Sequence, residues 1–150
     1  MFISRSGNWG QMASVFFCIT LYKTEGVNHN VKGCFAEYHF ATTAMQHGFS
    51  VSIPLLAHSK YDLILEKNGN LKKIQIKYLG KNRYKHGNGI QVTLKRIGKK
   101  TYEKELVDYF ALYHEVQNGF YIIKNEGQKS FKFAKGGKYQ KNFNNFDLLT

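Results

Sequence analysis

The sequence predicts an α/β fold, a mixed β-sheet flanked by helices. Three stretches carry that prediction: a helix-period segment at 31–47, an apolar hairpin around Asn68-Gly69, and a second hairpin around Gln117-Asn118-Gly119. At 150 residues the chain is long enough for one domain with a real core, placed at 27–150.

Taken in order, residues 1–26 form an extension unlike the rest. Met12 to Tyr22 is apolar but too short to span a bilayer, and no small-residue cleavage site follows it. The composition break allows two readings: an added strand, or a translated extension with the working start near Val27. Val31 to His47 reads as a helix whose apolar stripe is Val31, Cys34, Phe35, Tyr38, Ala41 or Thr42, and Met45, with Gly48 as its stop. Glu37 lies beside that stripe, facing either solvent or a cleft. Phe49 to Leu56 is expected to be a strand ended or bent by Pro54.

Residues 60–79 form the hairpin. Asn and Gly both tolerate positive φ, so Asn68-Gly69 between two apolar runs is a strong turn signal. Alternation then sends Gln75 and Lys77 one way and Ile74 and Ile76 into the core, with Asp62 near the start of the partner strand. An acid, an amide oxygen and an ammonium at one end of a sheet can hold a divalent metal and steady a phosphate. Taken alone, these three are matched by ordinary hairpin lysines and a turn-capping Asp.

Lys81 to Asn88 reads as a basic Gly- and Asn-containing loop, and Gly89 to Ile97 as a strand with Gln91, Thr93 and Lys95 on one face. Thr101 to Val107 is read as a short helix, and Asp108 to Tyr113 with Phe120 to Lys124 as the second hairpin. From Glu126 onward signals are sparse, and Phe143, Phe146, Leu148 and Leu149 are expected to pack back.

Charge narrows the partner. Lys and Arg number 22 against 10 Asp and Glu, a formal +12, while 15% aromatic content argues for a folded basic protein. That excess favours a polyanion, nucleic acid first. It concentrates in a basic strand and loop region, 78–104, where Lys81, Arg83, Lys85, Lys95, Arg96, Lys99 and Lys100 are interleaved with Gln91, Thr93 and tyrosines suited to phosphates and base edges. A second basic set, Lys124 to Lys141, runs through the tail. Cys18 and Cys34 make no CxxC pair and the six His no metal spacing, so zinc and disulfide classes drop out and a reducing, cytoplasmic setting fits.

The order of a helix with Glu37, a strand, an Asp62-bearing strand and a strand carrying Gln75-Ile76-Lys77 resembles the PD-(D/E)xK nuclease superfamily, over roughly Val31 to Tyr78. The 108–123 hairpin looks like the later hairpin of its smaller bacterial members. Within the superfamily it is most similar to the homing endonucleases of bacterial group I introns, which also carry Gln at the second acidic position. The resemblance implies a restriction-endonuclease-like core and a site-specific, metal-dependent DNA endonuclease. Asp62 would be the central metal ligand, Gln75 would hold the acidic position, and Ile76 would offer its backbone carbonyl. Lys77 would be the catalytic lysine and Glu37 a supporting carboxylate, preferred over Glu66 at the turn.

The cofactor implied is Mg²⁺ or Mn²⁺. The partner is double-stranded DNA, bound by a homodimer or homotetramer because one chain offers one site for two strands. Tyr61 stands where Pro is expected, which is harmless. Gln75 in place of a carboxylate supplies oxygen but no charge, which weakens metal binding. Two further readings stay open: a Holliday-junction resolvase or restriction-type nuclease, and a catalytically silent nucleic-acid binder.

Overall fold

The computed structural model describes residues 28–56, 58–80, 89–94, 101–134 and 136–150. One helix, α1 (His29–Gln46), precedes strands β1 (Ser50–Ser52), β2 (Leu63–Lys67), β3 (Asn70–Leu79), β4 (Gly89–Thr93), β5 (Tyr109–His114), β6 (Gly119–Lys124) and β7 (Ser130–Ala134). Short 3₁₀ turns at Gln140–Asn142 and Phe146–Leu149 follow.

Asn28 caps α1, its side chain accepting the Asn30 N–H at 2.9 Å, and Gly48, at φ +79°, ends the helix as its position predicts. The buried stripe differs from the expected one. Of the expected residues Ala41 is buried and Phe35 packs against the core, but Val31, Tyr38 and Met45 are 44, 57 and 54% exposed and Cys34 is exposed too; the core takes Ala36, Phe40 and Ala44 beside Ala41. Both stripes have the helical period. Close approach to a sheet selects the one rich in alanine, although the bulkier side chains draw the eye in the sequence.

Five strands form one sheet in the order β1-β2-β3-β5-β6, antiparallel throughout except for the parallel pair β3–β5. The hairpin β2–β3 turns at Asn68 and Gly69, with φ of 52° and 77°, as a type I′ connection requires. β5 is buried along almost its whole length, so it reads as a continuous apolar run rather than an alternating one. A parallel pair needs a crossover. Here that crossover, 80–108, carries β4, which leaves the main sheet and pairs with β7 as a separate antiparallel ribbon.

Two cores result. Between α1 and the sheet lie Phe40, Leu63, Leu65, Ile74, Ile76, Phe120, Ile122 and the tail residues Phe146 and Leu149. On the opposite face the ribbon's Ile90, Val92, Phe131 and Phe133 cover Leu79, Phe110, Leu112, Tyr121 and Ile123. Phe146 and Leu149 pack back as expected, while Leu148 is 37% exposed.

Three other expectations are corrected. The strand foreseen from Phe49 to Leu56 is only Ser50–Ser52, because Pro54 cannot extend an edge ladder, and Ile53, Leu55 and Leu56 are exposed beyond it. Thr101 to Val107 is an irregular segment with a turn, not a helix. Lys73 Nζ and Asn125 bind the carbonyls of Glu103, Glu105 and Val107, groups a helix would use internally. The tail contains β7, whose Phe131-Lys132-Phe133 alternation was legible but overlooked. Among the described residues no helix is long and apolar enough to cross a membrane.

Candidate active site

Asp62 sits one residue before β2 and is tied to β3 on both sides of the chain. Its N–H donates to the Ile74 carbonyl at 2.9 Å, and its Oδ2 accepts the Ile76 N–H at 2.5 Å. This is the cross-strand approach foreseen from the hairpin register. Gln75 Nε2 also donates to Asp62 Oδ2 and reaches the Ile76 carbonyl at 3.4 Å. Gln75 is only 7% exposed, so both contacts fix its amide in place.

Glu37, halfway along α1, lines the same small cleft as Asp62, together with Cys34, Tyr38, Ile53 and Leu63. Burial pushes the Glu37 carboxyl above the ordinary carboxylate range; the Asp62 charge pushes it further and the Lys77 ammonium offsets part of this. Burial likewise raises Asp62, opposed by the Ile76 N–H and by Lys77. Both carboxyls are thus raised mainly by burial, with the Lys77 charge acting against the shift in each. Lys77, half-buried two residues beyond Gln75, points to the ribbon side of the sheet, its Nζ 5.5 Å from the Tyr102 ring centroid.

The structure thus brings Glu37, Asp62, Gln75, Ile76 and Lys77 together. Glu66 lies exposed at the far end of β2, opposite Ser50 and Leu71. The oxygens near Asp62 are two carboxylates and the Ile76 carbonyl, hard donors of the kind Mg²⁺ or Mn²⁺ takes, while Gln75 turns its amide nitrogen, not its oxygen, toward Asp62 and Ile76. The raised carboxyls fit a cation as well, because a positive charge would hold them ionised. Among the described residues no group of three or more His, Cys, Asp or Glu is placed to hold a metal ion.

Of the expected DNA-contacting residues, Lys81, Arg83, Lys85, Lys95, Arg96, Lys99 and Lys100 lie outside the described residues. Gln91 and Thr93 are exposed on β4, directly opposite Lys132 and Ser130 of β7. Sequence reading missed two residues. Tyr102 falls in the segment expected to be a helix, and Lys132 in the basic tail; β4–β7 pairing places Lys132, and Asn125, about 20 residues on, fastens the segment that carries Tyr102.

The PD-(D/E)XK endonuclease family matches residues 27–147. The chain belongs to that family, and its fold is that of a PD-(D/E)XK nuclease. A solved bacterial homing endonuclease, I-Ssp6803I, superposes with a TM-score of 0.66 at 19% identity, covering 81% of this chain and 91% of that one. The Holliday junction resolvase Hjc of Archaeoglobus fulgidus superposes with a TM-score of 0.45 at 13% identity, covering 70% of this chain and 85% of that one. No curated protein matches the sequence.

Proposed function

We propose that the protein is a site-specific, divalent-metal-dependent DNA endonuclease of the intron-homing type, acting on duplex DNA as a homodimer or homotetramer. The observation that carries this reading is the set of Glu37, Asp62, Gln75 and Lys77 at one end of the β2–β3 hairpin.

Asp62, the Ile76 carbonyl, Glu37 and, with its amide turned over, the Gln75 oxygen would hold Mg²⁺ or Mn²⁺. Such an ion supplies Lewis acidity and lowers the pKa of bound water. The chain's own work is electrostatic and positional. Asp62, locked by the Ile76 N–H, presents its second oxygen at a fixed place. Lys77 offers a fixed positive charge to the developing pentavalent phosphorane and orients the attacking water. Glu37 sets the local charge at the mouth of the cleft.

Recognition is assigned to the basic region 78–104, joined by β7. The ribbon's inner face is wholly apolar and its outer face carries Gln91, Thr93, Ser130 and Lys132. A two-stranded ribbon enters a major groove, and these side chains suit base edges and phosphates. A random-sequence duplex library incubated with Mg²⁺ tests the function. Cuts at one long sequence are expected; selective binding without cutting would mean a silent site, and preference for four-way junctions a resolvase.

A further inference from the structure

We infer that Tyr102 is a positioning residue for Lys77: its ring face holds the ammonium at the place where the phosphate charge develops. The inference rests on the nuclease reading and deepens it.

A lysine presents its charge at the end of four rotatable bonds, so a strand fixes its Cα but not its Nζ. Something else must confine the ammonium for it to act as a fixed charge. Lys77 follows Gln75 by two residues on β3, so its stem leaves the same face of the sheet as the amide that binds Asp62. Its Nζ lies 5.5 Å from the Tyr102 ring centroid, within the range where a ring's negative face attracts a cation.

The ring itself is held. Tyr102 is 6% exposed and meets Phe110 edge-on, centroids 5.3 Å apart at 77°. Phe110 is the register partner of Gln75 on β5, so the platform for Lys77 is built against the strand beside the site. The irregular segment carrying Tyr102 is pinned by Asn125, itself buried. Its Nδ2 donates to the Glu103 carbonyl at 3.1 Å and the Val107 carbonyl at 2.8 Å, and its Oδ1 accepts the Gly127 N–H at 3.0 Å. Lys73 Nζ adds a bond to the Glu105 carbonyl. A turn with no regular ladder of its own is thus fastened at three carbonyls within five residues, and the one aromatic it carries faces the candidate catalytic lysine.

The test uses Tyr102→Phe, Tyr102→Trp and Tyr102→Leu in the full chain, with the duplex that the wild type selects from the random library. Three quantities are measured: single-turnover cleavage with Mg²⁺, duplex affinity without metal, and the NMR shift of the Lys77 ε-methylene protons. The leucine variant is expected to cleave about 3- to 30-fold more slowly at unchanged affinity when assayed below its melting temperature, while the two aromatic variants stay near wild type. In wild type and both aromatic variants the Lys77 signal should be shifted upfield by the ring, returning to its random-coil position in the leucine variant. Equal cleavage by folded Tyr102→Leu overturns the proposal. So does an equal loss in Tyr102→Phe, which would assign the effect to the hydroxyl, or a loss mirrored in affinity. A random-coil Lys77 signal in the wild type overturns it whether or not the leucine variant folds. If the wild type selects and cuts nothing, the nuclease reading fails, and the NMR shift still decides the contact.

Discussion

Gln75 donates from its amide nitrogen to Asp62 Oδ2, across the β2–β3 hairpin. The same nitrogen reaches the Ile76 carbonyl, so one NH₂ group bridges two oxygens that the proposed function assigns to the metal. The amide thereby supplies a hydrogen bond to a half-buried carboxylate.

Replacing this amide by a carboxylate separates its two roles. Gln75→Glu is expected to melt on the order of 2–10 °C below wild type in EDTA, from the lost buried hydrogen bond and the like charge beside Asp62. Mg²⁺ should then raise its melting temperature more than it raises that of the wild type. Thermal scans at several Mg²⁺ concentrations check this, and equal response to metal would contradict it.

The raised carboxyls give a signed pH dependence. A carboxyl whose folded pKa lies above its unfolded value adds stability below the unfolded pKa, and that contribution is lost as pH rises through the folded one. Metal-free wild type should therefore forfeit the Asp62 contribution on approaching neutral pH. Asp62→Asn should melt higher than wild type at neutral pH in EDTA, with the gap closing under acid conditions. Melting temperature against pH for both proteins reads it directly.

On the ribbon, charge and hydrogen bonding divide by residue. Lys132→Ala is expected to weaken duplex binding uniformly across sequences and to reduce the slope of log affinity against log salt by about one. Gln91→Ala should instead relax preference at a single base pair, worth about 1–3 kcal/mol of discrimination. Salt titrations and selection from a randomised target distinguish the two.

Gly119 opens β6 where the tail crosses it. A Cβ there would lie 2.5 Å from the Phe143 ring and 2.6 Å from the Asn144 side chain, which accepts the Phe120 N–H. Gly119→Ala is therefore expected to destabilise the fold by about 1–3 kcal/mol. Protein that remains folded should keep its cleavage rate, because the clash is remote from Asp62. Chemical denaturation beside a cleavage assay checks both halves.

What the sequence revealed and what it hid follow from the range of the interactions. The β2–β3 hairpin was legible because Asn68-Gly69 fixes its register locally, and that register alone carries Asp62 to Gln75 and Ile76. Gly48 marked the end of α1 for the same reason. The buried face of α1 was misread because only packing decides between two stripes of equal period. β7 and the Tyr102 segment escaped because their order comes from distant partners: β4 pairs with a strand some 40 residues on, and Asn125 ties carbonyls about 20 residues back. The parallel β3–β5 pair, set by a crossover, was equally beyond local signals.

The most direct test of the central claim is single-turnover cleavage of the selected duplex by wild type, Asp62→Ala and Lys77→Ala, with Mg²⁺ and with EDTA. The account predicts cutting only by the wild type with Mg²⁺, with both variants slower by at least about 100-fold at nearly unchanged duplex affinity. Wild-type cleavage that persists in EDTA, or a Lys77→Ala variant that cuts at the wild-type rate, would contradict it.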